Sequence, residues 1–274
     1  MAREHADRRD WISTAQVAEL LGVSAATVKR WAEAGSLPSE RTRGGHRRFR
    51  RESVEQFRRA GAAHHLSPAA TADSWIRLLL APTPALAIEL ALLEARSQLG
   101  SWLAVAESLD PVLEFVGLRW AKGELTVLEE HLLAARLSRG LSWAAESLPV
   151  GSSAPSALLA TPEGEDHTLG LSLVEVCLRE AGWRTAWAGR RLPTSDLERH
   201  ARAGGTSALL LSASVHSQAG ILGTTAARLA GAAREGGVSL VMGGRGPWPD
   251  PVPPAERLWT LRELRAWADR LRAR

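Results

Sequence analysis

Glu165 and His167, two residues apart in the segment TPEGEDHTLG, are the pair in this sequence best suited to metal chemistry. An imidazole ring binds cobalt or iron through either nitrogen. A carboxylate bonded to the other nitrogen fixes the tautomer and strengthens donation. Gly170, three residues after the histidine, lets the chain run close to a bulky ligand. Taken alone, a loop histidine is more often a surface or capping residue, so the surroundings must decide. Cys177 is the only cysteine, which excludes an internal disulfide and any multi-thiolate metal site. Within the apolar run LSLVEVCL it is expected to be a buried small hydrophobe.

The elements that would position this loop alternate regularly. Strands are expected at 156–160, 184–189, 207–214 and 238–244, with a last short one at 257–261. Helices are expected at 168–182, 194–204, about 218–236 and 262–273. Such alternation predicts a parallel sheet covered on both faces. Ligands of these sheets sit beyond the carboxyl ends of the strands, so the loops after 160, 214 and 242 carry the interest. The first holds His167, the second follows Ser212-Ala-Ser214, and the third follows Gly243-Gly244.

The amino-terminal part has different chemistry. Residues 1–60 hold 13 Lys/Arg against 8 Asp/Glu, while the remainder holds 21 against 22. Residues 41–51, RTRGGHRRFRR, contain six arginines and no acid. A polyanionic partner for this part alone is the expectation, against the alternative of a solvated basic face. Ser13-Thr14 can cap a helix through Val17, Leu20 and Leu21 that Gly22 ends; Ser24 caps a second, AATVKRWAEA, stopped by Gly35. Val28 and Trp31 fall on the inner side of the second helix, leaving Ala25, Thr27, Lys29 and Arg30 for a DNA groove or its phosphates. After Leu37-Pro38 the basic segment reads as a hairpin turned by Gly44-Gly45. Its Arg41, Arg43, His46, Arg47 and Arg48 suit phosphate contact, and RESVEQF closes the unit as a helix.

Between these parts, residues 59–72 and 148–154 read as linkers, and 73–147 as a helical bundle broken at Pro82, Pro84, Gly100, Pro111, Gly123 and Gly140. Leu125, Leu128, Leu132 and Ala135 form an apolar stripe expected to be core. No apolar run approaches the roughly 20 residues that span a bilayer. MAREHADRRD has no apolar stretch after its charges, so neither a secretory signal nor a membrane partner is expected, and the cytoplasm is the default.

The head, with its Leu-Pro and its wing Arg41-Thr-Arg-Gly-Gly-His46-Arg47-Arg48-Phe49, resembles the MerR-type DNA-binding domain over about 45 residues. The body resembles the cobalamin-binding Rossmann-like domain, whose signature is Asp/Glu-x-His-x-x-Gly, a Ser-x-Leu and a Gly-Gly. Here Glu165-Asp166-His167-Thr168-Leu-Gly170 is followed 42 positions on by Ser212-Ala-Ser214, and 28 residues separate Ser214 from Gly243-Gly244. Trp120, nine residues and Glu130-His131 resemble the upper-face cap of the adenosylcobalamin-dependent photoreceptor regulators, the CarH/LitR group.

These resemblances imply a multidomain chain: an all-α winged helix-turn-helix head (1–58), a linker (59–72), a four-helix-bundle cap (73–147) and an α/β Rossmann-like, flavodoxin-like domain (155–274). They make His167 the lower cobalt ligand. Glu165, Asp166, Thr168 and Gly170 then belong to the histidine loop, and Ser212, Ser214, Gly243 and Gly244 to the nucleotide-tail channel. Trp120, Glu130 and His131 fall on the upper, adenosyl side. The implied cofactor is adenosylcobalamin, with methylcobalamin as the alternative. The implied partners are a double-stranded DNA operator and further copies of the chain, as dimer or tetramer. The implied signal is light, which cleaves the cobalt–carbon bond and releases DNA.

Three departures bear on that transfer. Ser214 replaces the usual Leu, GRGPWPDPVPP replaces a helix after the Gly-Gly, and Ala121 stands where a histidine follows the cap Trp. A light-insensitive cobalamin-responsive regulator is therefore a second reading. A corrinoid methyl carrier is a third, which the head disfavours. No enzymatic activity is expected.

Overall fold

The computed structural model describes residues 10–21, 25–33, 37–42, 44–62 and 72–272. Two compact units divide the chain, Met1–Pro149 and Val150–Arg274.

The first unit opens with strand β1 (Trp11–Ser13) and helix α1 (Thr14–Leu21). Gln16 N–H donates to Ser13 Oγ at 3.3 Å and Ser13 N–H to Gln16 Oε1 at 2.8 Å, a reciprocal cap that starts the helix. Helix α2 (Ala25–Glu33) follows, then β2 (Glu40–Arg41), β3 (Arg47–Arg50) and α3 (Arg51–Ala62). Val28 and Trp31 are buried as expected, with Val17, Leu37, Phe49 and Val54. The all-α expectation for this head needs correction. The strands form an antiparallel sheet in the order β1-β3-β2, with Ile12 opposite Phe49. Three residues are too few for an alternating pattern to register, so β1 was not legible. Gly22, Ser24 and Gly35 lie outside the described residues. So do 63–71 of the expected linker; helix occupies its edges, α3 to Ala62 and the next helix from Ala72.

Four helices follow: α4 (Ala72–Leu80), α5 (Ala85–Leu99), α6 (Trp102–Ala121) and α7 (Val127–Ser147). Each of α4 and α5 packs on both α6 and α7. Pro82, Pro84, Gly100 and Gly123 fall between helices as expected, Gly100 as a left-handed cap with φ 82°. Pro111 does not break α6. Trp102, Val105, Ala106 and Leu109 before it and Val112 and Val116 after it are all buried, and their packing outweighs the lost hydrogen bond. Gly140 is also inside a helix. A β-carbon there would lie 2.9 Å from Ile88 Cγ2 and Leu92 Cδ1, so this glycine permits close approach of α7 and α5.

The expected core stripe is corrected too. Leu125 is buried, but Leu128 is 76% exposed, Leu132 43%, and Ala135 is exposed. The buried face of α7 is Leu133, Leu137, Gly140 and Leu141. An offset of five residues turns a helix by about 140°, enough to exchange inside for outside.

The second unit is a five-stranded parallel sheet: β4 (Ser156–Pro162), β5 (Arg184–Leu192), β6 (Ala208–Ser212), β7 (Ser239–Gly243) and β8 (Ala255–Arg257), in the order β5-β4-β6-β7-β8. Its helices are α8 (Leu169–Glu180), α9 (Thr194–Ala203), α10 (Ala219–Gly236) and α11 (Leu261–Arg272). Helices α9 and α10 share a buried cluster with Leu209, Leu211, Leu240 and Met242. Helices α8 and α11 pack together, where Trp183 and Trp267 stack at 5.2 Å. Cys177 is buried. The strand order is the flavodoxin-like one, and its switch point lies between β4 and β6. The strand expected at 257–261 is instead Ala255–Arg257. Thr260 and Glu263 form a reciprocal cap that begins α11, with Thr260 Oγ1 accepting Glu263 N–H at 3.1 Å.

Candidate functional site

The loops after β4 and β6 flank the switch point, and their side chains converge on Glu165. That carboxylate is 2% exposed. Its Oε1 accepts the His167 backbone N–H at 2.7 Å and lies 2.6 Å from His167 Nδ1. Its Oε2 accepts the Ser214 N–H at 2.7 Å and the Ser217 hydroxyl. Burial alone would raise this carboxyl. The hydrogen bonds from His167, Ser217 and Ser214 outweigh it and hold Glu165 well below the usual carboxylate range. An ionised carboxylate only accepts, so Nδ1 is the protonated nitrogen. Nε2 is then the nitrogen that a metal would use.

The His167 side chain is 60% exposed, at the carboxyl end of the sheet. Asp166 turns to Arg191, with which it forms an ion pair, and Thr168 begins α8, its carbonyl accepting Leu171 N–H at 2.9 Å. Gly170 lies beside Ser212, whose Oγ would be 3.7 Å from a β-carbon at 170. Ser212 Oγ would also be 2.9 Å from one at Gly244. Gly244 has φ 77°, and a β-carbon there would meet the Ala213 carbonyl at 2.2 Å. The need for glycine at 244 is therefore set by the chain's own β6 loop. The proline-rich segment after it is pinned by Trp248 Nε1 donating to Gly243 O at 2.9 Å and Arg257 Nη2 to Gly244 O at 2.6 Å. Arg257 also lies 4.2 Å from the Trp259 ring centroid.

Sequence reasoning missed two residues here. Ser217 completes the set of donors around Glu165, and the His216 ring lies 5.7 Å from that of His167. Both stand in the loop after β6, which the strand-end rule had marked. No cluster of three or more His, Cys, Asp or Glu that would hold a bare metal ion is present among the described residues. A single imidazole braced by a carboxylate suits instead a metal whose other positions are filled by a macrocycle. The donor set therefore fits a corrinoid.

Trp120, Glu130 and His131 belong to the first unit. Trp120 is 43% exposed near the end of α6, and Ala121 after it is exposed. Glu130 and His131 are paired through His131 Nδ1 in the first turns of α7. That helix is started by Thr126 Oγ1, which accepts Glu129 N–H at 3.2 Å.

The head presents a cleft of about 600 Å³ where α1, α2 and the wing meet. Lys29, Arg41, His46, Arg47 and Arg48 all line it. The wing turns through Gly45, whose N–H donates to Thr42 O at 2.9 Å, and Thr42 N–H donates to His46 O at 2.9 Å. Arg47 is held by Glu33 of α2. Thr27 and Arg30 stand on α2; their side chains, and Arg43, lie outside the described residues. A concave basic surface beside an exposed helix suits a nucleic-acid backbone.

Two domain matches place the chain in a class, proteins with a helix-turn-helix domain and a B12 binding domain. A helix-turn-helix domain matches residues 11–62, and a B12 binding domain matches residues 85–144. Within that class the chain is similar to the HTH-type transcriptional repressor CarH of Myxococcus xanthus, 29% identical over 217 residues, covering 66% of this chain and 72% of CarH. It is also similar to the HTH-type transcriptional repressor CarA of the same organism, 33% identical over 88 residues, covering 32% of this chain and 29% of CarA. The monomethylamine corrinoid protein of Methanosarcina barkeri shares the fold, with a TM-score of 0.55 and 20% identity over 73% of this chain and 95% of that one. The expected resemblance to a helix-turn-helix regulator with a B12-binding domain is met in these matches. The B12 match falls on helices α5 to α7, within the segment 73–147 expected to cap the cofactor. No described helix is long and apolar enough to cross a membrane.

Proposed function

We propose that this chain is a cobalamin-dependent transcriptional regulator that binds a double-stranded DNA operator through its head and senses adenosylcobalamin through its body. The observation that carries the reading is His167, held by the buried Glu165 at the switch point of a parallel sheet, in a chain that also bears a helix-turn-helix head. In this reading the functional segments are 1–58, 73–147 and 155–274, with a linker at 59–72. Lys29, Arg30 and Thr27 face the groove, and the wing cations Arg41, Arg43, His46, Arg47 and Arg48 hold phosphates.

His167 would hold the cobalt through Nε2. Glu165, itself held by Ser214 and Ser217, orients the ring and raises its basicity. Ser212 and Gly170 border the space assigned to the nucleotide tail, and Gly243 and Gly244 shape its far wall. By resemblance, Trp120, Glu130 and His131 serve the upper face. A bound adenosylcobalamin would supply a cobalt–carbon bond that light breaks; the protein's part is to hold it and to tie its state to DNA affinity. One head covers little DNA, so the reading includes self-association as dimer or tetramer on repeated half-sites, in the cytoplasm.

The test is visible absorption during titration with adenosylcobalamin in darkness. The expected spectrum is that of a histidine-ligated corrinoid, and His167→Ala is expected to lose it. An unchanged spectrum in that variant would remove the ligand assignment. Ala121 favours one second reading, a light-insensitive sensor, since no imidazole follows Trp120 to take the metal after photolysis. DNA retention before and after green illumination separates the two.

A further inference from the structure

Trp31 and Trp143 stack across the junction of the head and the bundle, ring centroids 5.5 Å apart and planes 27° apart. Lys29, two residues before Trp31 on α2, is exposed and lines the basic cleft, whereas Trp31 is buried and also meets Phe57 of α3 at 5.0 Å. The joint continues beside this pair. Helix α3 packs along α5, and Leu20 and Leu21 of α1 face Leu90 and Leu93 of α5. The DNA-reading helix is thus seated on the helices that match a B12 binding domain, and Trp143 is inside that match.

Both indole nitrogens, Trp31 Nε1 and Trp143 Nε1, are buried without a hydrogen-bond partner. Water would satisfy both if the rings separated, so apolar packing and stacking hold the joint against a standing polar penalty. A contact balanced in this way suits an element with two arrangements of similar energy. In the cobalamin reading proposed above, the start of α7 serves the cofactor. The helix carries Glu130 and His131 near its start and Trp143 twelve residues beyond His131. Along a continuous helix that is about 18 Å, with no break to absorb a displacement.

We propose that Trp143 is a positioning residue for the DNA-reading helix, which by stacking on Trp31 carries the corrinoid-dependent state of the bundle to α2. This rests on the cobalamin reading given above. It assigns a regulatory role to a residue that touches neither ligand.

The test uses full-length protein in darkness, with and without adenosylcobalamin, on a duplex selected by the unsubstituted protein from a random pool. The quantities read are the ratio of DNA affinities in the two conditions and the hydrogen exchange of the α2 amides. Coupling of ordinary size changes affinity about 5- to 150-fold, and Trp143→Ala is expected to bring the ratio to within about twofold of one. Cofactor binding, followed by visible absorption, should persist. Trp143→Phe, which keeps an aromatic face, is expected to restore most of the ratio. Leu90→Ala loosens the same joint without touching either indole and should lower the ratio too; it decides the matter if Trp143→Ala does not fold. An unchanged ratio with unchanged α2 exchange in these variants overturns the inference and leaves the cobalamin reading intact. No spectral response to adenosylcobalamin in the unsubstituted protein overturns the reading and this inference with it.

Discussion

Arg47 Nη2 lies 2.9 Å from Glu33 Oε1, so a cation of the wing is already paired with a carboxylate of α2. Both residues line the basic cleft, and the Arg47 side chain is 13% exposed while that of Glu33 is 64% exposed. A phosphate entering the cleft must compete with Glu33 for this guanidinium.

Replacing Glu33 by Gln releases Arg47 and removes a like charge from the path of the phosphates. DNA binding should tighten several-fold. The slope of log affinity against log salt should steepen by about 0.9, the value for one further phosphate contact on a duplex. Arg47→Ala should act the other way, weakening unrelated duplexes alike and flattening the slope. Anisotropy titrations across a salt series measure both. A sequence-selective loss in Arg47→Ala would mean that the wing reads bases.

In the proposed reading Glu165 would act on the metal only through His167, so Glu165→Gln should keep the histidine-ligated spectrum while weakening adenosylcobalamin about 10- to 100-fold. Ser217→Ala, which removes one of the donors to Glu165, should have a smaller effect of the same sign. Equilibrium titration followed at visible wavelengths distinguishes these from His167→Ala, where the spectrum itself changes.

The same carboxylate predicts a pH effect in the cofactor-free protein. Its folded pKa lies below its unfolded value of about 4.3, so its stabilising contribution is complete above that value and is lost as the pH falls toward the folded one. Melting temperature should therefore drop on acidification below about pH 4.3. Glu165→Gln should flatten part of that drop. Glu129 and Glu198, whose carboxyls are also lowered, by hydrogen bonds from Thr126 and from Arg228 and Arg202 respectively, act in the same direction.

Gly244→Ala places a methyl group against the Ala213 carbonyl on backbone at φ 77°. The left-handed conformation alone costs a non-glycine residue roughly 1–3 kcal/mol. The overlap with a backbone oxygen adds to it, because neither strand end can give way cheaply. Urea unfolding should show a lower midpoint with little change in m-value.

Much of this was legible because hydrophobic patterning carries it. The four longer strands, the helices between them and the inner face of α2 at Val28 and Trp31 follow from period and composition. So does the place of the histidine loop, since ligands gather at strand ends. What escaped depended on partners distant in sequence. Ser217 reads as an ordinary loop serine until β6 is set beside β4. The Leu128–Leu132 stripe and its buried neighbours Leu133 and Leu137 are both apolar, so pattern alone does not say which side turns inward. Pro111 shows the converse: a strong local signal for a break yields to burial on both sides of it.

The crossing from β7 to β8 contains five prolines between Gly246 and Ala255. Each restricts the unfolded chain, so less conformational freedom is surrendered when the segment takes its folded path. With Trp248 and Arg257 fastening its two ends to the Gly243-Gly244 turn, the rim stands ready-made before any guest arrives. Recognition there should bear a smaller entropic toll than at a rim of glycine and serine.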